Sequence, residues 1–150
     1  MRGVLLLLLA SCNVSGSDRT GDDDGSVVPV GPSGRCTTDD QCSSGQVCAR
    51  TSRCYATSQI HAVHVTWTVD GLPASATTCG TAADLEIYFR GDQSRDDSIG
   101  FLPVPCVAGK FSIDKLPISY TQVQLGGGDV AWQSGILDED TGEATLDLQL

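Results

Sequence analysis

The chain reads as an all-β protein: a seven-stranded antiparallel sandwich preceded by a disordered tether and a small disulfide-rich module. Three observations carry that reading. Apolar residues recur with a period of two through residues 60–150, between frequent turn signals and without a helical apolar stripe of useful length. Four cysteines fall every six residues from Cys36 to Cys54. Ahead of them lies a stretch of Ser, Gly, Asp and Pro with almost nothing to bury.

Composition narrows the partners. Seventeen glycines, 6 prolines and 7 cysteines in 150 residues argue for short strands, turns and disulfides over a helical bundle. A net charge of −10 argues against nucleic acid and anionic membrane surfaces as partners, since both repel such a chain.

Taken in order, Met1-Arg2-Gly3 supplies one positive charge and Val4 to Ala10 an apolar run of seven. A helix needs about 20 residues to span a bilayer, so this run is too short. With small residues after it, residues 1–11 read as a secretory signal peptide. Leu9-Ala10-Ser11-Cys12 resembles the lipobox of bacterial lipoproteins and sits where the apolar run ends. The resemblance implies that Cys12 is the lipidation site, carries acyl chains such as palmitate and becomes the mature N-terminus. The membrane is then a partner through lipid alone, and two acyl chains anchor stably. Setting Cys12 aside leaves six cysteines, which can pair fully. Some lipoproteins are retained at the inner membrane by an aspartate after the cysteine. Asn13 stands there instead, so the expected address is the outer membrane of the cell envelope, with the leaflet left open.

Residues 12–35 are the lipidated N-terminus and a flexible linker, spanning about 25 Å on average as a coil. Asp22-Asp23-Asp24-Gly25 lacks the alternating ligands and closing glutamate of a calcium loop and reads as a solvated acidic run.

Residues 36–59 form the disulfide-rich module. Zinc sites bring cysteines in close pairs with histidine nearby, and Cys36, Cys42, Cys48 and Cys54 show neither feature. In an exported chain they read as two disulfides, and three pairings are open. The box formed by Cys36, Asp39, Cys42, Gly45 and Cys48 resembles cysteine-rich modules of secreted proteins, including part of the whey-acidic-protein type of protease inhibitor. That resemblance implies Cys36–Cys48 and Cys42–Cys54, with Asp39 and Gly45 shaping turns. The inhibitor family has eight cysteines including an adjacent pair, and this chain has neither, so inhibition does not carry over. It stays as the alternative function, with Val47 to Arg53 as the loop and Arg50 or Arg53 for a trypsin-like pocket.

Residues 60–150 are the sandwich domain. Val63, Val65, Trp67 and Val69 alternate with His64, Thr66 and Thr68, then Asp70-Gly71 marks a turn. Leu85, Ile87 and Phe89 alternate with Glu86, Tyr88 and Arg90. Leu102, Val104 and Cys106 share a parity, which expects all three on a buried face. Phe111 and Ile113, Val123 and Leu125, Val130 and Trp132, and Leu146, Leu148 and Leu150 complete the set. Cys79 and Cys106 are the remaining pair and would close a 28-residue loop.

Gly109 to Tyr120 (GKFSIDKLPISY) is similar to the strand signature of transthyretin-like sandwiches, including carboxypeptidase regulatory-like domains. The resemblance implies that Leu116-Pro117 ends one strand and that Tyr120 starts the next with its ring in the core. Val123 is out of step with Tyr120, so a bulge or a one-residue shift is needed between them. Ser119 stands where that family has glycine. The whole layout resembles surface lipoproteins of predatory and soil deltaproteobacteria, mostly non-catalytic.

Chemistry is sparse. His61 and His64 point to opposite strand faces, and no nucleophile–base pair or phosphate-cradling motif is visible. No catalytic residue and no cofactor is therefore expected. Two acidic loops, Asp92, Asp96 and Asp97, and Asp138, Glu139 and Asp140, are weak candidates for calcium. The sandwich carries 13 acids against four bases, so its acidity is general and a solvated rim explains both loops. The expected function is a non-catalytic envelope lipoprotein that presents its sandwich for binding or structural roles. An envelope protein or a polysaccharide is the expected class of ligand, and the sequence does not identify which.

Overall fold

The computed structural model describes residues 35–82, 84–91 and 98–150. The expected signal peptide over residues 1–11, Cys12, the expected linker up to residue 34 and the acids Asp92, Asp96 and Asp97 lie outside the described residues.

In the module, strands β1 (Gln46–Cys48) and β2 (Cys54–Ala56) pair as an antiparallel hairpin. Disulfides Cys36–Cys48 and Cys42–Cys54 staple the preceding loop to it. Gly45 has φ +79, a left-handed turn conformation that glycine adopts without steric cost. One Asp39 carboxylate oxygen accepts the Cys48 N–H at 3.0 Å, closing the first turn.

The sandwich begins with β3 (Ile60–Val69), whose Val63, Val65, Trp67 and Val69 are buried while His64 and Thr66 face out. Asp70 and Gly71 both have positive φ, as a two-residue hairpin turn requires, and return the chain into the short β4 (Leu72–Pro73). A one-turn helix, α1 (Ala76–Cys79), is capped by the Ser75 hydroxyl, which accepts the Thr78 N–H. There follow β5 (Asp84–Gly91), β6 (Ser98–Pro105), β7 (Lys110–Pro117), β8 (Tyr120–Gly127), β9 (Val130–Ile136) and β10 (Glu143–Leu148). One sheet places β10 along one edge of β3, with β7 and β4 along the other. The second runs β6-β5-β8-β9. Pairing is antiparallel except for β10, which runs parallel to β3.

The inner faces meet in one core of Leu85, Ile87, Phe89, Leu116, Val123, Leu125, Leu146 and Leu148 with the valines of β3. Phe89, Phe101 and Phe111 stack against one another at 5.3–6.3 Å between centroids. The Cys79–Cys106 disulfide is buried beside Trp67, whose indole N–H donates to the Cys106 carbonyl at 2.9 Å.

Bulges change which side chains face in. Between Leu85 and Ile87, β6 carries an extra residue, from Val104 to Phe101. Val104 and Cys106 stay buried, whereas Leu102 is 64% exposed, against its expected burial. An extra residue in β9, between Gln133 and Val130, leaves Val130 buried and turns Trp132 outward. Tyr120 is buried, and the shift expected before Val123 falls between Arg90 and Gly91 of the partner strand. Leu150 lies past the end of β10 and is exposed.

Candidate functional site

Three places were singled out by sequence or emerge from the fold: the acidic loop after β9, the module loop, and the outer face of the β6-β5-β8-β9 sheet.

In the acidic loop, Asp138 serves the backbone. One of its oxygens accepts the Asp140 and Thr141 N–H groups and the Thr141 hydroxyl at 2.8–3.1 Å. Those bonds, from Thr141 first, hold its carboxyl below the usual range. Among the described residues, one group of three metal-ligating atoms lies within 4.8 Å of one another. It consists of Cys36, Cys42 and Cys54, all engaged in disulfides, so the oxygens of Asp138, Glu139 and Asp140 are not gathered in this way. His61 lines the same shallow cleft, with its Nε2 buried without a hydrogen bond, and burial lowers its pKa. His64 lies on the other face, its Nδ1 3.0 Å from the Ser112 hydroxyl.

The module loop is folded down onto the sandwich. Arg50 donates its backbone N–H to the Lys115 carbonyl and both Nε and Nη2 to Asp114. The Lys115 ammonium reaches back to both Asp39 oxygens at 2.7 and 2.9 Å. These cations hold the Asp39 and Asp114 carboxyls below their ordinary value. Within the loop, Ser52 N–H donates to Ala49, Ala49 N–H to Arg53, and Cys36 N–H to Ser52. The segment Val47 to Arg53 is therefore an inward-bonded turn with Arg50 committed to Asp114.

The outer sheet face is built differently. Cross-strand pairing sets Gly100, Tyr88, Gln124 and Ser134 in one row, and Ser98, Arg90, Gln122 and Ile136 in the next. Glu86, Gly126 and Trp132 continue it on the far side. Glycine at 100 lets the Tyr88 ring lie down over β6, because a Cβ there would run into the ring. A Cβ at Gly126 would stand 2.9 Å from Trp132 Cα and 3.1 Å from the indole, so that ring rests on β8. The two rings lie 5.6 Å apart, tilted by 56°. Tyr88 donates its hydroxyl to Glu86 at 3.0 Å, which raises the phenol pKa above its ordinary 10.0. Gln124 donates to the Ser134 hydroxyl at 3.1 Å. Trp132 is 47% exposed, and its indole N–H and the side chains of Gln122 and Arg90 have no hydrogen-bond partner among the described residues.

Strand parity already puts Tyr88 outward. The outward Trp132 and the pairing of the two rings arise from a bulge and from cross-strand register, which a linear pattern does not carry. Compared with known proteins, the chain matches no family model, no curated protein and no solved structure.

Proposed function

We propose that this protein is an exported, lipid-anchored envelope lipoprotein that presents its β-sandwich for binding or a structural role rather than for catalysis. One observation carries the reading. Six of the seven cysteines are consumed by three disulfides, and the seventh, Cys12, closes the Leu9-Ala10-Ser11-Cys12 box behind an apolar run. Three disulfides favour an oxidising compartment, and an odd cysteine there needs separate chemistry. Among the described residues no helix is long and apolar enough to cross a membrane; the anchor in this reading is the lipid on Cys12. The non-catalytic part of this reading draws on four carboxyls whose pKa is held below the ordinary value by hydrogen bonds. Asp39, Asp114, Asp138 and Asp147 each hold a turn or join two elements. Protease inhibition gains no support from the inward-bonded loop around Arg50.

Intact-mass spectrometry of the processed polypeptide tests the proposal. The expected result is a chain beginning at Cys12 with a thioether-linked diacylglycerol, and a Cys12→Ser variant that keeps its leader. An unmodified Cys12 sulfur overturns it.

A further inference from the structure

The two outer faces of the sandwich differ in kind. On the β10-β3-β7 side, exposed groups fasten to one another. Thr66 meets Thr145 at 3.2 Å, His64 meets Ser112 at 3.0 Å, and Thr68 donates to Asp147 at 2.6 Å. On the β6-β5-β8-β9 side, two aromatic rings lie on glycines, with Gln122, Gln124, Ser98 and Ser134 around them and Ile136 exposed at the edge. The rows around the rings carry one acid, Glu86, and one base, Arg90, in a chain of net charge −10. We propose that this face, centred on Tyr88 and Trp132, binds a neutral polysaccharide. The inference rests on the binding reading above and names its ligand class.

The chemistry matches a sugar. A pyranose ring offers an apolar C–H face and a girdle of hydroxyls around it. It is matched by an aromatic face with neutral donors and acceptors in the same plane. Here Trp132 is about half exposed with an indole N–H that has no partner among the described residues, and Gln122 and Gln124 flank the rings. Four strands give a shallow platform about 14 Å wide, broad enough for a short run of sugar rings. Charge decides against the other occupants. A polyanion would require a basic face, whereas Glu86 and Arg90 balance. A protein partner of ordinary affinity would bury about 800 Å² per side around a continuous apolar centre. Here Ile136, 70% exposed, joins the two rings, but Gln122, Gln124 and Ser134 interrupt the apolar surface.

The test uses the full chain in detergent, run in native gels containing dextran, laminarin, hydroxyethylcellulose or galactomannan, with alginate as the polyanion. At least one neutral polymer should retard the protein and shield Trp132 from acrylamide quenching; Trp67, 3% exposed, contributes little to that signal. Trp132→Ala should weaken retardation at least about tenfold. Trp132→Leu keeps an apolar side chain over Gly126 and should weaken it comparably, so a folding defect in one variant does not stand in for binding. Thr145→Ala, on the opposite face, should change nothing. The inference is overturned by retardation in no neutral polymer, by retardation in alginate alone, or by retardation that survives both Trp132 variants. A dimer dissolved by Trp132→Ala would likewise overturn it and make a second copy the occupant. Cys12 lipidation is read from the same preparation by mass. A lipidated protein without polysaccharide binding overturns this inference alone, and an unmodified Cys12 with binding overturns the anchor alone.

Discussion

In the module, the buried hydrophobic side chains are Cys36, Cys48 and Ala49, and two disulfides of twelve-residue separation do the holding. In the sandwich, a continuous core runs from Val63 to Leu148, and one disulfide sits at its end. A short chain segment cannot bury enough apolar surface to offset its backbone entropy, so covalent links limit the unfolded state instead. The longer segment has enough strands to enclose a core, and its single link is an addition. The two parts should therefore fail under different insults.

The largest effect is expected from Phe89→Ala. Phe89 is fully buried between Ile87, Phe101 and Phe111, and truncation should cost about 3–5 kcal/mol by cavity formation. Urea unfolding in the Trp132→Leu background, where Trp67 is the one tryptophan, reads it by fluorescence, while the module disulfides stay intact by mass. A loss below about 1 kcal/mol would mean that the sandwich does not depend on this core.

Next comes the paired removal of Cys36 and Cys48 to alanine. A closed loop of this length contributes about 3 kcal/mol in the chain-entropy model. Hydrogen exchange should show fast amides in residues 36–56 and unchanged protection in β3, β5 and β8. Equal loss of protection in the sandwich would make the two parts one cooperative unit and remove the contrast.

The same contrast decides what was legible in the sequence. Period-two alternation displayed the long strands because each has a wet face and a dry one, as in β3 and β5. It failed at Leu102 and Trp132, where one extra residue on a single strand reverses every side chain beyond it. The parallel pairing of β10 with β3 also left no local trace, since parallel and antiparallel strands alternate alike. Within the module, spacing left three pairings open, and resemblance to known cysteine-rich modules implied the one observed. Docking of module on sandwich was not readable at all: Arg50 and Asp114 are 64 residues apart, and Asp39 and Lys115 are 76. The aromatic platform was half legible, through the outward parity of Tyr88 alone.

The smallest effect concerns that docking. Asp39 and Asp114 face Lys115 and Arg50, and both carboxyls titrate below their ordinary value near 3.8. A carboxyl with a depressed folded pKa binds fewer protons folded than unfolded, so its contribution is complete above about pH 4. It declines as pH falls through the lower folded value. All four groups are substantially exposed, and salt screens them, so the loss should be slight. It should nevertheless be local. The Arg50 amide, bonded to the Lys115 carbonyl, should exchange faster as pH falls below about 4, after correction for intrinsic rates, while Val65 and Val123 stay protected. Asp39→Asn and Asp114→Asn together should reproduce the loosened amide at neutral pH and flatten its acid response. An Arg50 amide indifferent to both acid and the double variant would assign the docking to backbone pairing alone, with the two ion pairs adding nothing measurable.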